Sequence, residues 1–176
     1  MNQAQLVARY GDPGTKRDTV DPAWRAKNLV TRQGARAFPG VPPKWYFEFH
    51  KTLEARIEAG FAAAHAACPD YKIERAASFV FRRQRWDTVE RAKAEGRPVR
   101  QLSDHAFGAA IDVDAAKNRA IEFAAGKAPK PFSAAWKATW PDGLPEKWVR
   151  AFCKASRFGW GGDWDPFVDP QHFYAL

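Results

Sequence analysis

Hydrophobic and polar residues alternate over residues 109–114, which is the repeat of a β-strand with one face against a core. Ile111 and Val113 point to one side of this strand, and we expect that side to face the core. Ala110 and Asp112 point to the other side. The pattern therefore predicts that Asp112 lies on the open face of a strand, with room beside its carboxylate.

Helical and strand repeats predict further elements along the chain. Predicted helices cover residues 2–10, residues 42–67 and the segment that Pro145 begins, and predicted strands cover residues 72–81 and 171–175. Residues 15–43 are rich in glycine, proline and basic residues, and we expect them to form an ordered arm that wraps the domain. His50 and His65 fall on the long predicted helix, too far apart to share one metal ion, so we predict two surface histidines.

Composition indicates a single domain that spans residues 1–176. With 176 residues, 45% hydrophobic content and eight Trp, the chain can bury a sizeable core. No apolar segment at the N-terminus resembles a signal peptide, and no stretch approaches the ~20 apolar residues of a membrane span. We therefore expect synthesis in the cytoplasm without a signal peptide or a transmembrane segment. Cys68 and Cys153 have no ligand residues beside them, which favours free thiols, with a disulfide as the alternative.

The formal net charge of +8 indicates an anionic partner without identifying it. Nucleic acid and the bacterial cell wall both fit, and so does a solvated face that only keeps the protein in solution. The basic residues are scattered, with a denser run over residues 75–100. Because no signature of a nucleic-acid-binding module accompanies that run, we predict that the protein does not bind nucleic acid.

His105 and Asp112 stand seven positions apart and are the first candidate metal ligands. On one helix they would lie about 10 Å apart, too far to share an ion whose bonds are roughly 2 Å long. An extended strand would separate them further. The chain must therefore fold back between them, and Gly108 is the natural place because glycine readily adopts positive φ angles. An ordinary loop histidine and an exposed strand aspartate are the alternative.

These residues belong to a longer pattern, Ser-x-His-x-x-Gly-x-Ala-x-Asp, which is complete at Ser103, His105, Gly108, Ala110 and Asp112. The pattern resembles the signature of the zinc D-alanyl-D-alanine carboxypeptidases and the phage L-alanyl-D-glutamate endopeptidases, which cut the peptide stems of bacterial cell wall. The resemblance implies an α+β fold of the hedgehog and D-alanyl-D-alanine peptidase type. In that fold, a small and mostly antiparallel sheet carries helices on one side and the zinc site on its open face.

A second motif lies near the C-terminus, where Trp-Gly-Gly-Asp-Trp at 160–164 is followed by Asp-Pro-Gln-His-Phe at 169–173. This pair is similar to another element of the same family. The resemblance implies that His172 is the third zinc ligand and that Asp169, three residues earlier, is the catalytic base. The family usually continues with glutamate after His-Phe, whereas Tyr174 stands there in this chain, so no role of that glutamate carries over.

Asp163 and Asp165 compete with Asp169 for the role of base, and we choose Asp169 because its distance from His172 matches the family. We expect the other acids of these stretches to make only loop hydrogen bonds: Asp104, Asp114, Asp163 and Asp165.

Three further residues are candidates for contact with the substrate. Ser-Phe-Val-Phe-Arg-Arg over residues 78–83 looks like the family's strand that presents an arginine to the active site, which implies Arg82, with Arg83 as the rival. Such an arginine could hold a substrate carboxylate or stabilise the oxyanion, and a solvent-facing side chain is the alternative. Ser103 is expected to bind substrate or to orient the loop. Trp164 is expected to line the cleft, with plain packing as the alternative.

The implied ligand set is two histidines and one carboxylate, which leaves the fourth position of Zn²⁺ for water, as in catalytic zinc sites. The function that the resemblance favours is a monomeric zinc peptidase acting on bacterial peptidoglycan as an L-alanyl-D-glutamate endopeptidase. A phage endolysin of this kind would reach the wall after holin-mediated release or as a virion component. The alternatives are a D-alanyl-D-alanine carboxypeptidase or dipeptidase, and a wall-binding module without turnover.

Overall fold

The computed structural model of the chain describes residues 1–34 and 38–176. The helices are α1 (Gln3–Tyr10), α2 (Pro22–Asn28), α3 (Glu54–Ala67), α4 (Val89–Ala94), α5 (Ala134–Thr139) and α6 (Glu146–Ser156). The strands are β1 (Leu29–Gln33), β2 (Tyr46–His50), β3 (Ala76–Ala77), β4 (Ala110–Val113), β5 (Ile121–Glu122), β6 (Phe158–Trp160), β7 (Phe167–Val168) and β8 (His172–Ala175). Short 3₁₀ helices cover Lys51–Leu53, Gln84–Trp86, Asp104–Phe107 and Gly161–Asp163.

A four-stranded sheet in the order β3-β4-β8-β6 forms the centre of the molecule. Its neighbouring strands pair antiparallel, and the register sets Asp112 of β4 opposite His172 of β8. On the other side of β4, Ala77 of β3 is also opposite Asp112. Two smaller antiparallel pairs, β1-β2 and β5-β7, lie outside this sheet. The central register therefore joins two residues that are sixty positions apart in the chain.

One face of the central sheet packs against the helices and forms the core. Ile111 and Phe173 are fully buried on that face. The ring of Phe173 lies 4.8 Å from that of Phe152 and 5.7 Å from that of Trp148, both on α6. The opposite face of β4 carries Asp112. The expected α+β fold is thereby confirmed, with a small antiparallel sheet, helices on one side and a group of candidate ligands on the open face.

The long helix predicted from residue 42 is wrong in its first part. Tyr46–His50 forms strand β2, a 3₁₀ turn follows, and the α-helix begins only at Glu54. Phe49 fits the helical series that continues with Leu53, and it also fits a two-residue repeat with Phe47, which is fully buried like Phe49. Pairing with β1 decides between the two repeats, because it supplies the backbone partners that a strand needs.

This difference also corrects the prediction of two surface histidines. His50 ends β2 and is only 3% exposed, while His65 lies on α3 and is half-buried. The other predicted elements fare better. The helix at 2–10, the helix after Pro145 and the C-terminal strand are confirmed within one or two residues at each end.

The predicted strand over residues 72–81 is reduced to β3, which pairs only at Ala76 and Ala77. Beyond β3 the backbone turns to other partners: Phe79 N–H donates to the carbonyl of Glu48, and Val80 N–H donates to that of His105. The segment thus connects β2 with the loop that carries the first candidate ligand.

The arm over residues 15–43 contains α2 and β1, and its residues 35–37 lie outside the described part of the chain. Trp24 and Phe38 anchor the arm in buried positions. Cys68 and Cys153 are free, half-buried thiols, as expected. Among the described helices, none is long and apolar enough to cross a membrane.

Candidate metal centre

Three side-chain atoms converge on the open face of the central sheet. Nε2 of His105 lies 3.1 Å from Oδ1 of Asp112 and 3.2 Å from Nδ1 of His172, and the last two atoms are 3.0 Å apart. Four ligands at ~2.0–2.1 Å around a tetrahedral ion would be about 3.3 Å from one another, close to these separations. The described residues therefore include one group, His105, Asp112 and His172, that could hold a metal ion.

The loop before β4 presents His105 through the bend that the sequence predicts. Asp104–Phe107 forms a 3₁₀ turn, and Gly108 ends it with a φ of +63°, in the left-handed region. A Cβ at this position would also lie 2.6 Å from the backbone nitrogen of His50. Glycine is therefore required twice, for the backbone conformation and for the close approach of β2.

The ring of His105 is held by a hydrogen bond on the side away from the other two residues. Its Nδ1 lies 2.5 Å from the carbonyl oxygen of Ser78, next to β3. Because a carbonyl only accepts, Nδ1 carries the proton and the lone pair of Nε2 is left toward Asp112 and His172. A backbone carbonyl in this position fixes the ring of a metal-binding histidine in the orientation that coordination needs.

The charge of Asp112 suits a metal ligand. Burial disfavours its ionised form, but hydrogen bonds with His105 and His172 outweigh burial and hold the pKa of the carboxyl well below its usual range. Asp112 is consequently an anion at neutral pH, and the rings of His105 and His172 stabilise its charge.

His172 has a second acidic neighbour that the sequence did not reveal. Its Nε2 lies 3.9 Å from Oδ2 of Asp104, on the side of the ring opposite Asp112. Burial lowers the pKa of His172, but Asp104 and Asp112 outweigh burial and raise this pKa to about 9. We expected Asp104 to make only loop hydrogen bonds. Its position next to His105 in the sequence was the one indication that it lies near the candidate metal centre. Only the fold brings it to His172.

Asp169 lies next to this group, at the start of the turn into β8. Its carbonyl accepts from the backbone N–H of His172 at 3.1 Å, and its own N–H donates to the carbonyl of Gly161 at 2.9 Å. A Cβ on Gly161 would lie 2.5 Å from the Asp169 carbonyl oxygen, so this contact requires the first glycine of the Trp-Gly-Gly-Asp-Trp motif.

The carboxyl of Asp169 is in an unusual state. Its Oδ1 is buried and has no hydrogen-bond partner among the described residues. Burial raises the pKa of Asp169, and the nearby His172 offsets only part of this effect. A buried carboxylate with a raised pKa takes up a proton more readily than an exposed one, which suits a general base. The competing acids Asp163 and Asp165 are exposed, and Asp165 accepts from the backbone of Gly126.

Two aromatic rings flank His172. Trp164 lies 5.2 Å from the His172 ring, and Tyr174 stacks on it at 5.9 Å with an interplanar angle of 19°. Nε1 of Trp164 donates to the hydroxyl of Tyr174 at 3.2 Å. The tyrosine that replaces the family's usual glutamate therefore packs against a candidate ligand. Ser103 is buried, and its backbone bonds to Arg82 and Ala106 organise the loop.

The two candidate arginines differ in their surroundings. Arg83 is 2% exposed, and its guanidinium bonds to Asp18 and to three backbone carbonyls, those of Thr15, Arg17 and Arg100. These contacts commit Arg83 to anchoring the arm. Arg82 is half-buried and lines a cleft of about 130 Å³ together with Asp18 and Phe81. Its contact with a substrate stays a prediction.

Comparison with known families agrees with the motifs. Residues 97–175 match the family model described as D-alanyl-D-alanine carboxypeptidase. This range contains His105, Asp112, Asp169 and His172. No solved structure matches the chain significantly. The resemblance to the D-alanyl-D-alanine carboxypeptidase family of peptidases is therefore confirmed over residues 97–175, the part of the chain that forms the candidate metal centre.

Proposed function

We propose that the protein is a zinc metallopeptidase that hydrolyses the stem peptides of bacterial peptidoglycan, at the bond between L-alanine and D-glutamate. The observation that supports it best is the convergence of His105, Asp112 and His172 within the region that matches a peptidase family. Two imidazoles and one carboxylate are a ligand set that zinc favours, and three protein ligands leave one position open for catalysis.

The surrounding residues fit a zinc ion in this group. The separations of 3.0–3.2 Å between the three candidate ligand atoms suit one tetrahedral ion. The buried Oδ1 of Asp169 has no hydrogen-bond partner in the part of the chain that the structure describes, and it would accept from a water molecule at the open position. A bound zinc ion would lower the pKa of that water and polarise the scissile carbonyl.

The chain's own residues would then move the proton. Asp169 takes it from the attacking water and delivers it to the nitrogen of the leaving amine. The raised pKa of Asp169 makes the carboxylate a stronger base than an exposed aspartate. Nδ1–H of His105 donates to the Ser78 carbonyl throughout, so Nε2, the coordinating nitrogen, keeps its orientation.

The remaining site residues bind or shape the substrate cleft in this proposal. Arg82 holds a substrate carboxylate or stabilises the oxyanion. Ser103 orients the loop of His105 through its backbone, and Trp164 lines the cleft beside His172. Residues 1–43 serve as an N-terminal helix and an arm around a single catalytic domain.

The biological setting belongs to the same proposal. We infer that the protein acts as a monomer on peptidoglycan rather than on nucleic acid. It reaches the wall as a phage lysin after holin-mediated release, or as a virion component. The net charge of +8 favours attraction to an anionic wall.

A D-alanyl-D-alanine carboxypeptidase or dipeptidase is the second candidate, because the matching family model carries that description. A third candidate, a wall-binding module without turnover, would leave the converging ligands and Asp169 without a purpose.

Metal analysis and mass spectrometry of products from purified peptidoglycan separate these functions. We expect one equivalent of bound zinc. We also expect two products from each cleaved bond, one that ends in L-alanine and one that begins with D-glutamate. Release of terminal D-alanine alone would establish the carboxypeptidase instead. Zinc-loaded protein that releases nothing from any stem peptide would favour the binding module.

A further inference from the structure

A groove of about 390 Å³ runs along β3, at the edge of the central sheet. Trp45, Arg75, Ala77 and Phe79 are among its lining residues. The strand that forms this groove also supports the metal centre, because Ala77 pairs with Asp112 and the Ser78 carbonyl accepts from His105. The groove therefore borders the strand segment that holds two of the candidate ligands in place.

The alternation of side chains shows which residues of this segment share the face of Asp112. Arg75 is exposed, Ala76 is buried, Ala77 is half-buried and Ser78 is buried. Arg75 and Ala77 thus point to the open face. Paired residues in antiparallel strands have Cβ atoms about 5 Å apart, so Ala77 lies beside Asp112. Arg75 lies two positions before Ala77, just ahead of β3, at about 7 Å along an extended backbone.

Ala77 and Arg75 leave room and supply a positive charge for a ligand on this edge of the sheet. Ala77 leaves space next to the candidate ligands, while Arg75 places a cation one or two peptide residues away. The guanidinium of Arg75 lies 5.6 Å from the centre of the Trp45 ring. Nε1 of Trp45 donates to the carbonyl of Glu74 at 2.8 Å, so the indole is held in place as a platform for Arg75.

Among the described residues, no carboxylate lies within ion-pair distance of the Arg75 guanidinium. The other arginine of the groove, Arg25, differs because it forms two hydrogen bonds with Glu48, at 2.7 and 2.6 Å. Arg75 is consequently the guanidinium in this groove that has its charge available for an anionic ligand.

We propose that Arg75, supported by Trp45, binds the free carboxylate of the D-glutamyl residue when the stem peptide lies along β3. This inference rests on the proposed function and specifies how the site selects its substrate. An extended peptide can follow an exposed sheet edge, where alternate side chains meet separate pockets. The L-alanyl residue meets Ala77, and the carboxylate of the D-glutamyl residue that follows it meets Arg75.

The test compares two soluble stem peptides that differ only at the D-glutamyl residue, one with the free carboxylate and one with its carboxamide. We expect the unmodified protein to prefer the carboxylate peptide in kcat/KM. Arg75→Ala should lower kcat/KM for the carboxylate peptide about tenfold, mainly through KM, and leave the carboxamide peptide unchanged, because an exposed charged hydrogen bond is lost. Lys72→Ala removes an exposed cation of the same segment and should change neither value.

Binding of both peptides to the zinc-free protein, followed by calorimetry, gives a second readout. Carboxylate-dependent binding that Arg75→Ala abolishes would support the subsite even if the protein cleaves no stem peptide, which would refute the proposed function alone. Cleavage that proceeds with the same peptide preference in Arg75→Ala would overturn the subsite and leave the function standing. Equal losses in Arg75→Ala and Lys72→Ala would also overturn it, since general basic attraction would then explain both.

Discussion

Replacement of Asp169 by asparagine separates the role of this carboxyl from its place in the fold. The amide has nearly the same shape, and the backbone bonds of residue 169 to Gly161 and His172 do not involve the side chain. Oδ1 of Asp169 has no hydrogen-bond partner among the described residues, and the amide keeps one oxygen that can accept the hydrogen bond of the Gln171 side chain. The substitution therefore removes a base and a charge while it keeps the packing.

We expect two opposite effects. Loss of a general base lowers kcat by about 10²–10⁴-fold, which corresponds to roughly 2.7–5.4 kcal/mol in the activation barrier. Stability should change in the other direction. Because the pKa of Asp169 is raised in the folded protein, its charged form opposes folding above the unfolded pKa of 3.8. At pH 7 Asp169→Asn should be at least as stable as the parent, and this difference should vanish near pH 3.

The assay measures hydrolysis of peptidoglycan at matched zinc content, together with chemical unfolding of the zinc-free proteins at pH 3 and pH 7. Asp163→Asn is the matched control, because Asp163 is an exposed acid in the preceding turn and should change neither property. An Asp169→Asn protein that binds zinc and turns over within threefold of the parent would refute the assignment of the base.

Further predictions concern the metal centre. His105→Ala, Asp112→Ala and His172→Ala should each lose bound metal and activity together, measured by metal analysis and hydrolysis; a variant that keeps its zinc would remove that residue from the ligand set. Gly108→Ala should unfold more easily and bind zinc more weakly, because about 1–2 kcal/mol of left-handed strain adds to the overlap with β2. Gly126→Ala, at a φ of +69° with no atom near, carries the strain alone, so equal unfolding midpoints would contradict the role of the overlap. Zinc uptake at pH 7 should release about one proton from His172, because its pKa of about 9 keeps the ring protonated without metal. Calorimetry in two buffers of different ionisation enthalpy measures this release, and binding heats that do not depend on the buffer would contradict it.

Local features of the metal centre followed from the sequence because they depend on a few neighbouring residues. The spacing of His105 and Asp112 required a bend, glycine supplied it at position 108, and the alternation after it placed Asp112 on the open face. The motif also gave the chain order of all three candidate ligands. These features need no knowledge of distant contacts, since backbone sterics and a two-residue repeat decide them.

Other features had no local solution. Phe49 fits the helical series of Leu53 and also the strand repeat of Phe47, and pairing with β1 decided for the strand. The sequence favoured Arg82 over Arg83 for contact with the substrate, and only the fold showed that carbonyls of the arm bind the Arg83 guanidinium.

Tertiary structure alone decided which groups meet at the candidate metal centre. The register between β4 and β8 brings His172 opposite Asp112, and the same fold sets Asp104 against the far side of the His172 ring. Such contacts join residues about sixty or more positions apart. A sequence can specify the side chains and the turns that aim them, whereas distances between them depend on how strands pair and which faces the helices cover.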